Sequence, residues 1–366
     1  MTTILHTADV HLDRAYSGVG MTAGIAAARR EELRDGLRRF VDLALELGVD
    51  AVTIGGDLYE HDRATLDTGN FLRQQFERLG AVPVLIAPGN HDPVLPDSLY
   101  RRIEWTANVT IFWEPRLRAA QLAGGVTVWG AGHNAPDLRE NLIDGFRVPA
   151  QGAHVLLFHG SDLTTVPEGK PVHCGFYPAD VERTGAVYAL LGHYHSARLH
   201  PLFAYPGTPE ALDFSEGGEH GVLRLDVDAE GARPQLIPCG RVRYETRRLD
   251  LGEATSSDEV RAQISALGDR EAIVRVVLEG ELSTEVEMDV GGLYNACAER
   301  FAYLDIVDKT QPAWDLEEIG EESTTKGAFV RLMRAKIGAG GDGVEVARLA
   351  LAMGLQAFDR REVRVP

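Results

Sequence analysis

Short apolar runs alternate with amphipathic stretches along the first 240 residues of the chain. Six runs are typical of buried strands, and they cover residues 3–8, 51–54, 82–87, 126–130, 154–158 and 187–191. Between the first two runs, apolar residues recur at helical spacing over residues 26–47, and Gly48 supplies a stop signal. This strand–helix–strand pattern predicts an α/β domain.

The pattern changes after Gly240. Residues 242–249 and 272–278 are strand-like, and residues 257–267 predict a helix between them. The stretch 317–325 is polar enough for a linker, and two helices are predicted at 327–336 and 344–358, around a glycine-rich turn at 338–343. We therefore predict a large α/β domain over 1–240, a small α+β domain over 241–316, and a linker with helices over 317–366.

The composition places the chain among ordinary globular proteins, with 44% hydrophobic and 25% charged residues in 366. It contains no run of about 18 apolar residues, so no membrane partner is expected. Residues 1–10 already carry His6 and Asp9, where a signal peptide would need a basic start and an apolar stretch, and a cytoplasmic location is expected. Cys174, Cys239 and Cys297 lie far apart, which indicates neither a disulfide framework nor a thiolate zinc site.

The net charge of −18 argues against a polyanionic partner, but the charge is unevenly distributed. Residues 1–249 hold 24 basic and 32 acidic side chains, residues 250–322 hold 5 and 19, and residues 323–366 hold 8 and 4. Most of the acidity therefore lies in one middle segment, which we interpret as a solvated face. Metal ions would also reverse the field of acids that bind them. Net charge alone does not exclude a nucleic-acid substrate.

Five short motifs place polar side chains directly after the predicted strands. They are Asp9-Val10-His11, Gly56-Asp57, Gly89-Asn90-His91-Asp92, Phe158-His159-Gly160 and Gly192-His193-Tyr194-His195. In open α/β sheets ligands collect at the carboxyl ends of strands, so we expect these side chains to converge. Carboxylate, imidazole and amide oxygen together suit manganese, iron or zinc.

This ligand set predicts a two-ion site for phosphoester hydrolysis. Two ions about 3.5 to 4 Å apart can bind a phosphoryl oxygen and lower the pKa of a shared water. A carboxylate must bridge them, and Asp57 is the natural candidate. We assign Asp9, His11, Asp57 and His195 to one ion, and Asp57, Asn90, His159 and His193 to the other.

The third motif supplies two residues that the ions do not need. His91 is predicted to protonate the leaving oxygen or to stabilise developing charge, and Asp92 is predicted to fix the ring of His91.

The ordered motifs resemble those of the calcineurin-like metallophosphoesterase superfamily. This resemblance implies a four-layer α-β-β-α sandwich with a dinuclear centre, which we expect to hold two Mn²⁺, with iron, zinc or magnesium as alternatives. Three segments, LHTADVHLD at 5–13, GGDLY at 55–59 and YPGTPEALDF at 205–214, are similar to those of the bacterial SbcD and Mre-type DNA double-strand-break repair nucleases.

The narrower resemblance implies several further features. Residues 1–240 would be the nuclease domain, 241–316 a capping domain, and the tail helices a docking segment for an SbcC-like SMC-type ATPase. The family often has a histidine three residues after the bridging aspartate, whereas this chain has Glu60 there, followed by His61. Whether His61 contacts substrate therefore stays open.

Several residue groups have two interpretations. His6, His133, His154, His173, His200 and His220 lack a motif position, so we interpret them as surface or hydrogen-bonded histidines. Apolar residues at 71–79 and 99–105 form either the chain's own core or, as in the resembled nucleases, a homodimer contact. Apolar residues at helical spacing in the tail, among them Phe329, Leu332, Met333, Leu349 and Leu351, form either a partner groove or a core.

The sequence thus predicts a manganese-dependent DNA exonuclease, with a possible endonuclease activity, that acts in DNA repair and recombination. One alternative is a small-molecule phosphodiesterase or phosphatase, which would share the metal site but need neither cap nor docking tail. Another is a metal-stabilised scaffold subunit of an ATPase complex, which an intact ligand set disfavours. A β-lactamase-type metallohydrolase would need an H-x-H-x-D-H run, which residues 193–198 lack.

Overall fold

The computed structural model describes residues 1–16, 21–149, 152–166, 171–341 and 343–359. The chain divides into two compact units, Met1–Tyr244 and Glu245–Pro366. The strands of the first unit are β1 (Thr2–Thr7), β2 (Ala51–Ile54), β3 (Val84–Ile86), β4 (Val109–Ile111), β5 (Arg118–Gln121), β6 (Val126–Gly130), β7 (Ala153–His159), β8 (Tyr188–Gly192), β9 (Arg198–Leu199), β10 (Phe203–Tyr205), β11 (Gly221–Asp228) and β12 (Gly231–Pro238). Its helices are α1 (Ala23–Leu47), α2 (Leu66–Arg78), α3 (Leu99–Arg102) and α4 (Pro178–Thr184).

The first unit contains two six-stranded mixed sheets. The first sheet has the order β12-β11-β1-β2-β3-β4, in which β1 to β4 run parallel and β11 and β12 antiparallel. The second has the order β5-β6-β7-β8-β10-β9, with a parallel centre and antiparallel edge strands. The parallel strands of each sheet direct their carboxyl ends to one edge, which is where the predicted motifs begin.

The two sheets stack face to face between helices. Because side chains alternate along a strand, Ile4 of β1 packs with Val155 and Leu157 of β7 between the sheets, whereas its neighbour Leu5 packs against α1 and α2. On the outer side of the second sheet, Phe158 packs with Val181 of α4. These clusters confirm the predicted α-β-β-α sandwich.

Helix α1 follows from its sequence. The Thr22 side chain accepts a hydrogen bond from the Ile25 amide at the amino end, and Gly48 ends the helix in the left-handed conformation with φ 59°. Apolar residues at helical spacing, such as Leu33, Leu37 and Phe40, are buried against the first sheet. The predicted helix at 26–47 is confirmed, and it begins three residues earlier than expected.

All six strands predicted in the first 240 residues are present within two residues at either end, but β4, β5 and β9 to β12 were not predicted. β12 contains Pro234 and Pro238, which weaken a strand pattern in the sequence. The strand lies at the edge of its sheet, where a missing amide donor is tolerated.

The apolar stretches at 71–79 and 99–105 form core. Phe71, Leu72, Phe76, Leu99 and Tyr100 are at most 7% exposed and pack with the α1 side of the first sheet. The homodimer stays a prediction: of the residues named for it, Ile103 and Trp105 are only partly buried.

One buried histidine joins the two sheets. The His6 ring on β1 contacts Thr53 Oγ1 through Nδ1 at 2.9 Å and the carbonyl oxygen of Leu191 on β8 through Nε2 at 3.0 Å. Burial lowers the pKa of His6 to about 4, despite the opposing hydrogen bonds to Leu191 and Thr53. The interpretation of His6 as a hydrogen-bonded histidine is confirmed.

The lowered pKa of His6 predicts loss of stability in acid. Above pH 6.5 the His6 ring is neutral in the folded and in the unfolded chain. Between pH 6.5 and about pH 4, the ring binds a proton in the unfolded chain but stays neutral in the folded chain, so the folded state loses stability as the pH falls. At pH 5 this difference amounts to about 2 kcal/mol. We expect the free energy of unfolding, measured with denaturant at pH 7 and pH 5, to fall less in His6→Gln than in wild type. Equal falls would contradict this role.

The second unit contains a three-stranded sheet, a short two-stranded ladder and five α-helices among its described residues. Its elements are β13 (Arg243–Asp250), α5 (Ser257–Ala266), β14 (Ala272–Glu279), β15 (Glu281–Ser283), α6 (Val290–Cys297), β16 (Tyr303–Asp308), β17 (Gln311–Ala313), α7 (Leu316–Glu321), α8 (Thr325–Gly338) and α9 (Val344–Phe358). In the glycine-rich turn, Asp342 lies outside the described residues, as do residues 360–366 of the tail. The separation of this unit into a cap and a tail stays a prediction.

The predicted linker at 317–325 is wrong over its first part, which forms α7. The Asp315 side chain accepts hydrogen bonds from the Glu317 and Glu318 amides and caps the helix, and Ile319 is buried against α8 and α9. The acidic composition of this stretch predicted a linker, although Asp315 is a capping residue and Ile319 an apolar contact.

Across the described residues, no helix combines the length and apolarity needed to span a bilayer.

Candidate metal centre

The predicted metal-binding motifs follow five strands of the two sheets. Asp9 and His11 follow β1, Asp57 follows β2 and Asn90 follows β3, all in the first sheet. In the second sheet, His159 is the last residue of β7, and His193 and His195 follow β8. The His159 ring links the two sets, because its Nδ1 contacts the Gly55 carbonyl oxygen at 2.8 Å.

The loops hold several of these residues in an unusual backbone conformation. Asp9, His11 and Asp57 have φ of 54°, 51° and 52°, and His193 has φ of 116°. Residues other than glycine rarely adopt this region, and doing so costs free energy that the surrounding structure must offset. Such strain at four predicted ligands is typical of a functional site.

One group of ligand atoms belongs to Asp9, His11 and His195. These atoms all lie within 4.8 Å of one another. The Nε2 atoms of His11 and His195 face each other at 3.2 Å. Two ring nitrogens this close cannot both carry a proton without repulsion, whereas both can face one cation.

A second group brings together Asp9, Asp57 and His159, again within 4.8 Å. His159 Nε2 lies 3.4 Å from Asp57 Oδ2 and 3.0 Å from Asn90 Oδ1. Asp57 Oδ2 also lies 3.8 Å from His11 Nε2. Asp57 therefore stands between the two histidine sets, which is where a bridging carboxylate must lie.

His193 lies beside these groups. Its ring centroid is 5.1 Å from that of His159, but in the described part of the chain it belongs to no three-ligand group within 4.8 Å. Its amide donates to both carboxylate oxygens of Asp9 at 3.1 Å. The assignment of His193 to the second ion stays a prediction.

Burial sets the charge state of the centre. It raises the pKa of Asp9 to about 8, with Asp57 adding to the rise. Burial would also raise the pKa of Asp57, but the neighbouring His159 and His11 outweigh it and hold that pKa below its usual range. Burial lowers the pKa of His11, of His159 and, to about 4, of His193. Buried carboxylates crowded beside imidazole nitrogens fit divalent cations, which would relieve the repulsion between the acids.

Two carboxylates outside the motifs hold the ligand rings, and the sequence analysis assigned neither. Glu216 Oε1 lies 2.5 Å from His195 Nδ1, and its Oε2 accepts a hydrogen bond from the Leu212 amide at 2.8 Å. Glu60 Oε1 lies 2.8 Å from His11 Nδ1. Carboxylates in this position fix the tautomer of a metal-binding histidine, so that its Nε2 is free for the ion.

His91 stands at the exposed side of the centre, with 45% of its side chain exposed. Its Nδ1 lies 2.9 Å from Glu60 Oε2, and its amide donates to Asp57 Oδ1 at 2.8 Å. Burial alone would lower the pKa of His91, but the hydrogen bond to Glu60 and the charge of Asp57 raise it to about 9. His91 also forms a possible ligand triple with His11 and Asp57.

The predicted role of Asp92 is wrong. Its buried carboxylate accepts hydrogen bonds from the amides of Asp57, Leu58 and Gly89 and from the Tyr100 hydroxyl, at 2.6 to 3.0 Å. These donors occupy its oxygens, so Asp92 holds two ligand loops together, while Glu60 holds the His91 ring.

The remaining histidines have varied environments. His61 Nε2 lies 3.4 Å from Asp97 Oδ1, and contact with substrate stays a prediction for this residue. His154, His200 and His220 form hydrogen bonds, as expected. His133 and His173 lie closer to the centre than the sequence indicated, with ring centroids 5.4 Å from those of His159 and His193, respectively.

Gly89 shows how tightly the loops approach the centre. A Cβ atom on Gly89 would lie 2.3 Å from Asp57 Oδ1 and 2.8 Å from His159 Nδ1. A larger residue would therefore displace the predicted bridging carboxylate, which explains the glycine before Asn90.

The chain is similar in sequence to calcineurin-like phosphoesterases. The family model for calcineurin-like phosphoesterases matches residues 2–197, more than half of the chain. An uncharacterized metallophosphoesterase, YhaO, of Bacillus subtilis is 29% identical over 264 residues, which span 69% of this chain and 64% of that protein.

Two archaeal relatives carry the name DNA double-strand break repair protein Mre11. The protein of Aeropyrum pernix is 28% identical over 285 residues, spanning 70% of this chain and 65% of the relative. The protein of Methanopyrus kandleri is 26% identical over 379 residues, spanning 91% of this chain and 78% of the relative. The chain thus spans slightly less than two thirds of the Bacillus and Aeropyrum proteins.

Proposed function

Because the chain belongs to the calcineurin-like phosphoesterase family, and is therefore a metal-binding hydrolase of phosphoesters, we propose that it is a manganese-dependent DNA nuclease of DNA repair. The observation that carries the hydrolytic part is the convergence of Asp9, His11, Asp57, His159 and His195 in two overlapping ligand groups. The step to DNA is supported by the relatives named Mre11 and by the similar segments at 5–13, 55–59 and 205–214.

The residues of the centre have distinct tasks in this proposal. When bound, divalent cations supply positive charge and Lewis acidity to the phosphoryl group and acidify water. Asp57 lies between the two histidine sets and is suited to bridge the ions. His91, whose Nδ1 is engaged by Glu60, presents Nε2 as the nitrogen left for substrate, and the hydrogen bond to Glu60 and the charge of Asp57 raise its pKa, which favours the protonated form. It would protonate the leaving oxygen.

A small-molecule phosphodiesterase or phosphatase is the second candidate, and the net charge of −18 favours it. Repulsion between a strongly acidic surface and DNA would weaken binding, whereas a small phosphoester would meet it less. The proposal of a nuclease depends on cations at the centre to offset this repulsion locally.

One assay separates these functions. Purified protein would be incubated with Mn²⁺, Mg²⁺ or Zn²⁺ on end-labelled linear DNA, hairpin DNA and bis(p-nitrophenyl) phosphate, with and without chelator. We expect cleavage of DNA that requires Mn²⁺ and disappears with chelator, and the His91→Asn variant controls for a contaminating nuclease.

Each outcome of the assay selects one function. Hydrolysis of the nitrophenyl ester without DNA cleavage would select the small-molecule enzyme. Absence of hydrolysis on all substrates, with ions bound, would favour the scaffold subunit. Product lengths on the linear DNA would report the digestion polarity.

The tail helices support a proposed SMC-type ATPase partner. In α8 and α9, Phe329 and Met333 pack with the buried Leu351 in a small core, whereas Leu332 is 54% and Leu349 37% exposed. The core interpretation thus holds for one face of these helices, and the exposed face is the one that we propose for a partner. Co-purification with an SMC-type ATPase that is lost in a Leu332→Glu, Leu349→Glu variant would support docking there, and unchanged co-purification would count against it.

A further inference from the structure

A single carboxylate lies between a predicted metal ligand and the predicted general acid. Glu60 Oε1 contacts His11 Nδ1 at 2.8 Å, and Glu60 Oε2 contacts His91 Nδ1 at 2.9 Å. The two rings also meet edge to face, with centroids 4.8 Å apart at 79°. Each oxygen of Glu60 therefore serves one histidine.

The backbone around Glu60 is held from both sides. The Glu60 amide donates to the Leu12 carbonyl at 2.9 Å, and the Glu60 carbonyl accepts from the Ala64 amide at 2.8 Å. The next amide, of His61, donates to the His91 carbonyl at 2.9 Å. The three loops that carry His11, Glu60 and His91 are thus connected by backbone hydrogen bonds, and the Glu60 side chain is only 19% exposed.

The engaged nitrogen determines which nitrogen remains free. With Nδ1 of His11 on Glu60, its Nε2 faces His195 Nε2 at 3.2 Å and Asp57 Oδ2 at 3.8 Å. With Nδ1 of His91 on Glu60, Nε2 is left for a ligand outside the protein. A carboxylate that orients imidazole in this way also makes the ring a stronger ligand or proton carrier.

We propose that Glu60 is a positioning residue that couples the metal ligand His11 to the acid His91, so that one carboxylate orients both rings. The inference deepens the proposed function, on which its kinetic part rests. Its structural part concerns only the ring hydrogen bonds and the orientation of two histidines, and it is tested without turnover.

The structural test uses the metal-free protein. Long-range ¹H–¹⁵N correlation spectra of the histidine rings would be compared between wild type, Glu60→Gln and Glu216→Gln. We expect Glu60→Gln to change the Nδ1 signals of both His11 and His91, because an amide cannot accept from both rings. Of these three histidine rings, the Glu216 side chain contacts that of His195, so Glu216→Gln should change the His195 signal and leave the signals of His11 and His91 unchanged.

The functional test measures binding and turnover separately. We expect the Mn²⁺ affinity of Glu60→Gln, measured by titration calorimetry, to fall about 10- to 100-fold. At saturating Mn²⁺, kcat on bis(p-nitrophenyl) phosphate should also fall about 10-fold or more, with KM changed less, because His91 is no longer oriented. Glu46→Gln, an exposed change on α1, should match wild type in both.

Several results would overturn the coupling. If Glu60→Gln leaves either histidine signal unchanged, or restores full kcat once Mn²⁺ is saturating, Glu60 does not couple the two rings. Should Glu60→Gln melt early by circular dichroism, Glu60→Asp replaces it, since a side chain one methylene shorter should lose at least one of the two contacts. A wild type that hydrolyses no phosphoester would refute the proposed function but leave the spectra as a test of Glu60.

Discussion

Replacing Asp57 with alanine is expected to abolish binding of the metal pair and to lower phosphodiester hydrolysis by about 10³-fold or more. Asp57 Oδ2 lies 3.8 Å from His11 Nε2 and 3.4 Å from His159 Nε2, and Asp57 Oδ1 accepts a hydrogen bond from the His91 amide. Truncation of Asp57 removes the negative charge that both ligand sets share. It also removes the hydrogen bond that Asp57 accepts from the His91 amide. Elemental analysis after dialysis against Mn²⁺ would report the metal content, and calorimetry the affinity.

The matched control is Asp62→Ala, an exposed aspartate five residues further on. It should keep wild-type metal content and activity, because it removes the same charge outside the centre. Asp57→Asn keeps the volume and one oxygen, and it should lose the second ion more readily than the first. Two ions per chain in Asp57→Ala would refute the bridge.

Replacing His91 with asparagine is expected to lower kcat about 10²- to 10⁴-fold while both ions still bind. The ring is the exposed, Glu60-oriented imidazole of the centre, and its removal takes away the proton for the leaving oxygen. A nitrophenolate leaves readily without a proton, whereas the alkoxide of a DNA strand does not. The loss should therefore be larger on DNA than on bis(p-nitrophenyl) phosphate.

The pH dependence of kcat tests the same role. The pKa of His91 is raised to about 9, so the acid form is present below that pH and is lost above it. Bound cations would lower the pKa of His91. The fall of kcat at high pH should therefore be centred no higher than about pH 9 in wild type, and it should be absent in His91→Asn. If instead His91→Asn loses metal, His91 is a ligand with His11 and Asp57, as their proximity allows.

Local patterns in the sequence predicted the frame of the centre. Strands β1, β2, β3, β7 and β8 are short, buried runs rich in β-branched and apolar residues, and such runs are recognisable because a sheet that is buried on both sides needs apolar residues on both faces. The polar motifs follow directly after these strands, and parallel strands bring their carboxyl ends to one edge. Asp9, His11, Asp57, Asn90, His159 and His195 therefore meet as their order in the chain indicated.

Side-chain partners could not be predicted in the same way. Asp92 follows His91 directly and was expected to hold the His91 ring. The carboxylate oxygens of Asp92 instead accept hydrogen bonds from three backbone amides and the Tyr100 hydroxyl. Glu60, 31 residues away, holds the ring instead. Adjacent residues on an irregular loop can point in opposite directions, so sequence distance does not report hydrogen bonding there.

The chain's own order of residues was thus sufficient for the strand pattern, the cap of α1 at Gly48 and the set of converging ligands, because each depends on local periodicity or on a rule of sheet topology. Three features could be recognised only in the folded structure. They are the contacts of Glu60 with two histidines, the contact of Glu216 with His195, and the short distances of His133 and His173 from the centre. These contacts join residues from separate loops, and the packing of the two sheets, rather than any local preference, sets their distances.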